Sequence, residues 1–334
     1  MLRLDPIRRL TPSRAAALAL ASALLAATAA QAAASETRNG AVMDDAQRFA
    51  AVFKAAAGSP SAEVLQSDYL APGTPGIAIF TEYRIKNAAN LASHVATLRP
   101  DYQHAIDLCL PEAQRMHDEV SATIAKVGTL LGSAESAPAY FLFGAGNSGG
   151  TASADGLGIG LEVICKEART PAQAQQIIRE FIAHEMTHVF QVRNGLEMHD
   201  HDLLQHTLSE GFADFIMGRL LGADTSVDAT RRAYGVAHEA ALWRRFQDDV
   251  AADKGDADWL FNGGHQPAGE PPDMGYWLGR RICESYYAHA ADKAQAIRTL
   301  LLLKDPKAIL KDSGYDGTSV ASARQAARSQ SELE

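Results

Sequence analysis

The sequence predicts an α+β fold, and three observations carry that prediction. Apolar residues recur every three or four positions over long stretches before residue 137, the pattern of amphipathic helices. Two short apolar runs, Ala139–Phe143 and Leu157–Cys165, enclose the glycine-rich stretch Gly144–Thr151 and read as strands. From Pro171 onward the helical pattern returns and continues to about Leu303.

Composition narrows the function classes. The chain has 334 residues, 47% hydrophobic, 21% charged and 7% aromatic, which excludes a disordered chain, a collagen-like chain and a small disulfide scaffold. This length suits one large domain or two average ones. Lys plus Arg number 31 and Asp plus Glu 40, for a formal net charge of −9. That acidic balance gives no support to binding of nucleic acid or of an anionic membrane.

Residues 1–32 read as a secretory signal peptide. Arg3, Arg8, Arg9 and Arg14 form a basic segment, Ala15 to Ala30 is an uncharged run of 16 residues, and Ala30-Gln31-Ala32 fits a small-x-small cleavage site. The run lies at the short end for a membrane span, so cleavage near Ala32 is favoured over an N-terminal anchor. Export to the periplasm or the medium follows, with no membrane association after cleavage. The compartment would be oxidising, yet three cysteines allow at most one disulfide, and the spacing does not choose the pair. Cys165 and Cys283 have apolar neighbours and read as buried thiols.

Residues 33–135 form an N-terminal helical region, with helical periodicity over Asp44–Ala57, Ala88–Leu98 and Leu110–Leu131. Ile77–Ile85 fits a strand or a helix start. Residues 136–316 form the region that carries the chemistry, and 317–334 is a polar tail expected to fray. The two strands around the glycine-rich loop suggest a β-hairpin. Thr170-Pro171 opens a helix and Asn194-Gly195 closes it. Further helices span about His206–Leu221, Asp228–Val250, Gly275–Ala291 and Ala294–Leu303, with an irregular loop over 257–274.

The long helix contains His184-Glu185-Met186-Thr187-His188. Histidines at i and i+4 project from one helix face, so their imidazoles converge on one ion. Glu185 flanks that face and reaches a water without being a ligand; H-E-x-x-H on a helix is a zinc-protease signature. Phe181, Ile182, Val189 and Phe190 make the surroundings apolar, where uncompensated charge is costly. A catalytic zinc needs a third protein ligand. Glu210, 22 positions after His188 on the next helix, supplies it, and Asp214 lies one turn beyond, placed to accept the outer N–H of a ligand histidine.

His184, Glu185 and His188, with Glu210 and Asp214 in Ser-Glu-Gly-Phe-Ala-Asp, resemble the gluzincin-type, thermolysin-like zinc metallopeptidases. The stretch from Tyr140 to about Tyr287, including Met274-Gly275-Tyr276-Trp277-Leu278-Gly279, is similar to a bacterial family of predicted zinc-dependent proteases without assigned substrates. The resemblance covers a little under half the chain and implies a zincin-like fold. In such a fold a small sheet with a glycine-rich hairpin lies over the zinc helix, and the cleft lies between this and a helical C-terminal part. It also implies Zn²⁺ on His184, His188 and Glu210, a proton-transferring Glu185, and a peptide or protein substrate. Tyr276 is the first candidate for stabilising an oxyanion, before His265 and His238, because it lies in a glycine-flanked aromatic segment. The strand Leu157–Val163, with Gly158 and Gly160 permitting close backbone approach, is the candidate to pair with an extended substrate. His199, His201 and His206 read as members of a solvated loop. Two other functions fit the same residues: a zinc-dependent amidohydrolase acting on a non-peptide or cell-wall substrate, and a zinc-bearing peptide-binding protein with little turnover.

Overall fold

A computed structural model describes residues 40–133, 135–197, 202–222 and 229–318. The expected signal segment, His199, His201 and almost all of the polar tail lie outside these residues.

The architecture is α+β: helices around one four-stranded mixed sheet. The strands are β1 (Ala41–Val42), β2 (Ala139–Leu142), β3 (Gly150–Ser153) and β4 (Gly156–Gly160), in the order β1-β2-β4-β3. β1, β2 and β4 run parallel, and β3 runs antiparallel to β4. The expected hairpin between the Ala139 and Leu157 runs therefore does not form. The glycine-rich loop carries the chain past the place of β4 to the outer edge, and β4 returns between β2 and β3. The hairpin is β3–β4. A chain of small residues, Gly-Thr-Ala-Ser, gave β3 no apolar signature.

The N-terminal helices are α1 (Asp44–Ala55), α2 (Ala62–Leu65), α3 (Pro75–Phe80), α4 (Ala88–Thr97), α5 (Arg99–His104), α6 (Leu110–Arg115) and α7 (His117–Leu130). The Ile77–Ile85 segment is helical: α3 begins on the Thr74 cap with Pro75 in its first turn, then continues as a π-helical turn to Ile85. The run Leu110–Leu131 divides into α6 and α7 at Met116, whose ψ of 6° leaves the helix. These helices share one apolar core with the sheet. Phe49 of α1 stacks on Phe143 just after β2, 4.6 Å between centroids, and β1 pairs with β2.

After β4 the chain does not continue as a strand. Leu161–Ile164 is a helical turn, α8. It turns the Glu162 carboxylate back to accept the backbone N–H groups of Gly144 and Gly146, at 3.0 and 3.1 Å. It also brings Cys165 within 6.0 Å, Cα to Cα, of Cys109, with which it forms a disulfide. Cys165 is thus not a thiol; Cys283 is free and buried.

Four long helices follow: α9 (Pro171–Arg193), α10 (Leu203–Leu221), α11 (Ala229–Ala251) and α12 (Met274–His289), then α13 (Lys293–Leu302) and α14 (Pro306–Ser313). α9 has the bounds that its local signals predict. Thr170 accepts the Gln173 N–H at the start. At the end, Gly195 at φ +88° lets Gly195 and Leu196 return their N–H groups to Val192 and Gln191. α10 and α12 cross at Gly211 and Gly279. A Cβ on Gly211 would lie 2.1 Å from the Gly279 carbonyl carbon, so only glycine permits this approach. No helix among the described residues is long and apolar enough to cross a membrane.

Candidate metal centre and its cleft

The two histidines of α9 and Glu210 of α10 meet where these helices pack. His184 Nε2, His188 Nε2 and Glu210 Oε2 are mutually 3.2 Å apart. The donor set fits a metal ion. Ligands about 2.0–2.1 Å from a tetrahedral ion lie about 3.3 Å from one another, close to the spacing seen. The outer nitrogens are already committed: His184 Nδ1 donates to Asp214 Oδ1 at 2.8 Å, and His188 Nδ1 to Gln191 Oε1 at 2.7 Å. With the protons on Nδ1, both Nε2 lone pairs point at each other and at a carboxylate. Buried lone pairs in that arrangement need a positive charge between them. A proton bridges two atoms, whereas a metal ion serves three. This is a group of His and acidic residues able to hold a metal among the described residues, and it is buried.

In the metal-free chain the same groups favour positive charge on the histidines. Burial opposes charge on His184, but hydrogen bonds with Asp214 and Glu210 outweigh it and push its pKa up to about 10. His188 also goes up: burial opposes, and Glu210 prevails. Burial works against ionised Glu210 and Asp214 too, yet His188 and His184 hold Glu210 well below the usual carboxylate range, and His184, with Arg231, holds Asp214 below it. The cluster therefore stabilises positive charge, which a metal ion would supply in place of the Nε2 protons.

Glu185 is not one of the three. Its carboxylate lies against β3: a Cβ on Gly150 would be 2.7 Å from its carboxyl carbon. Burial pushes its pKa up, which strengthens it as a proton acceptor. Tyr276, in the first turn of α12, stacks its ring on His184 at 5.8 Å and 28°. Burial first, and Glu210 next, push its phenol well above the ordinary value, so the hydroxyl keeps its proton. Of the three oxyanion candidates only Tyr276 reaches the site. His238 sits exposed at a kink of α11, with Nδ1 on the Tyr234 carbonyl at 2.9 Å, and His265 is exposed on the loop.

A cavity of about 190 Å³ opens beside the cluster, lined by Phe181, His184, Glu185, Met217, Arg231 and Tyr276 among others. Arg231, on α11, lays its guanidinium over the Tyr276 ring at 4.9 Å. Neither Arg231 nor Gln191 belongs to the motif. Gln191 had a local signal, being one turn after His188 on the same helix; Arg231 had none. His206 departs from the solvated-loop reading. It lies within α10, one turn before Glu210, and is mostly buried. Its Nε2 is 3.9 Å from Glu210 Oε1 and its Nδ1 2.7 Å from Asp256.

β4 does not offer an edge to a substrate, because β2 and β3 pair with it on both sides. Gly158 serves packing, since a Cβ there would meet the Phe80 ring at 2.5 Å. The edge strand next to β4 is β3, half-buried, beside Glu185.

Comparison with protein families, with curated proteins and with solved structures finds no significant match to this chain.

Proposed function

We propose that the chain is an exported zinc-dependent peptidase of the gluzincin type, with a zincin-like arrangement of sheet, metal-binding helix and helical C-terminal part. The observation that carries the reading is the set of three inward-facing donor atoms, 3.2 Å apart, with a fourth group, Glu185, left free beside them. Two imidazoles and one carboxylate match a catalytic zinc site, which keeps one coordination position open.

Zinc held by His184, His188 and Glu210 would supply an acidified water and a Lewis acid for the substrate carbonyl. The chain's own residues do the rest. Glu185 accepts a proton from the attacking water at its carboxylate and delivers it to the leaving amine nitrogen. The Tyr276 hydroxyl donates a hydrogen bond to the oxygen on which charge develops. Asp214 and Gln191 fix the histidine tautomers. An extended substrate adds to the outer side of β3, within reach of Glu185. Export is supported by the Cys109–Cys165 disulfide, which belongs to an oxidising compartment.

The test is metal content of the purified protein beside hydrolysis of an unstructured protein, with and without chelator. One zinc per chain, chelator-sensitive cleavage, and a Glu185→Gln variant that keeps zinc and loses turnover are expected. Cleavage that survives Glu185→Gln refutes the mechanism.

A further inference from the structure

The geometry points to Phe261 as a specificity-determining residue that receives an apolar side chain of the extended substrate beside Tyr276 of the cleft lining. This inference rests on the peptidase reading and adds to it the kind of side chain selected.

Phe261 lies in the irregular segment between α11 and α12 and is 63% exposed. Its φ is +52°, a backbone region that residues with a Cβ avoid. Burial does not explain the strain, because the ring is not in the core. The backbone is fixed on both sides instead. Trp259 is buried, with its indole N–H on Asp249 at 3.0 Å and its carbonyl accepting the Gly275 N–H at 2.8 Å. Asn262 and Asp273 exchange two hydrogen bonds between backbone and side chain, at 3.0 and 2.8 Å. A strained backbone on a rigid base thus presents an aromatic ring to solvent. Strain of this kind collects at ligand clamps.

The ring also has a direction. It is 5.0 Å from the His206 ring and 6.0 Å, edge-on, from the Tyr276 ring. Tyr276 in turn stacks on His184 at 5.8 Å. Tyr276 thus neighbours both rings and links the exposed Phe261 to the metal cluster. Phe261 is therefore at most about 12 Å from His184, which an extended peptide at roughly 3.3 Å per residue covers in three or four residues. A substrate side chain within that distance of the scissile bond would cover the exposed ring. The ring would leave water on binding, so an apolar partner is favoured.

The test uses zinc-loaded Glu185→Gln protein and labelled peptides that differ only at the residues within four positions of one central bond. Leucine or phenylalanine, serine, and lysine are compared by fluorescence anisotropy. Changing Phe261→Ala or Phe261→Gly should weaken the leucine and phenylalanine peptides about tenfold, and Phe261→Leu should restore them. Serine peptides should move less than about twofold on the same scale. Glycine relieves the positive φ, so Phe261→Gly should unfold at no lower temperature than the parent. In protein with Glu185 intact, the same pattern should appear in KM while kcat holds. Equal weakening of every peptide, no weakening of the apolar ones, a preference for lysine, or no peptide binding with Phe261 intact would each overturn the inference. If apolar peptides bind through Phe261 but none is hydrolysed by the unmodified protein, the peptidase reading fails and the role of Phe261 stands.

Discussion

Replacing Gly150 with alanine displaces the Glu185 carboxylate and leaves the three metal-facing atoms alone. The added Cβ would lie 2.7 Å from the carboxyl carbon, 2.8 Å from Oε2 and 2.9 Å from a ring carbon of Phe181. Ordinary contact between carbon atoms is about 3.5–4.0 Å, so the carboxylate must retreat by about 1 Å. It is the end of a flexible side chain, and Gly150 does not have a positive φ, so folding is little affected. Proton transfer is less tolerant. It needs heavy atoms about 2.6–3.2 Å apart, and a misplacement of about 1 Å lowers rates by ~10²-fold, or about 2.7 kcal/mol of barrier. The assay is kcat on a quenched fluorescent peptide, beside zinc affinity by chelator competition and thermal unfolding. Gly150→Ala should lose ~10²-fold in kcat with zinc affinity and unfolding temperature unchanged. Unchanged kcat, or loss of zinc together with activity, refutes the placement of Glu185 as the proton carrier beside β3.

Other expectations follow from single contacts. Asp214→Asn takes the carboxylate off His184 Nδ1, and zinc affinity should fall roughly 10- to 100-fold; equal affinity in chelator titrations would remove Asp214 from the site. The disulfide spans 56 positions. By loop entropy Cys109→Ser, or reduction, should lower unfolding stability by about 4 kcal/mol, and a loss under about 1 kcal/mol in denaturant titrations would show that the bridge closes nothing the fold does not already close. Glu162 is buried with one oxygen unpartnered among the described residues, and burial, against its backbone hydrogen bonds, pushes its pKa from 4.5 to about 7. Its folded pKa is raised, so between pH 4.5 and 7 the native state keeps a proton that the unfolded chain has released. Stability should therefore fall as pH rises through that window, by about 3 kcal/mol at most, and Glu162→Gln should flatten the fall. An unchanged pH slope in the variant would contradict this.

The parts of the molecule legible in the sequence are those fixed by local chemistry. α9 could be bounded to the residue because Thr170-Pro171 and Asn194-Gly195 cap it without help from elsewhere. His184 and His188 converge by helix geometry alone, and Glu210 and Asp214 face them one turn apart. What escaped was non-local. Parallel pairing of β2 with β4 is decided by β3 crossing to the outside. Arg231 and Phe261 reach the cleft from segments with no motif. His206 looked like part of a histidine-rich loop because the sequence around it is polar, whereas the position that matters is one turn before Glu210. The disulfide partner of Cys165 lies on a different element, and apolar neighbours said only that it would be buried.

The crossing of α10 and α12 at Gly211 and Gly279 has a mechanical meaning. Glu210 adjoins one glycine, and Tyr276 lies one turn before the other. With two backbones in contact there is no side chain to compress and no layer to slide upon. The two helices behave as the fixed jaw of a caliper, setting the span between the Glu210 carboxylate and the Tyr276 ring. Adjustment to substrates of different bulk must come from the opposite jaw, where Arg84 reaches Thr151 of β3 at 3.3 Å and the strand rests on the end of Glu185. On the proposed peptidase reading, changes in substrate preference would then accumulate around β3, while the span between Glu210 and Tyr276 stays locked.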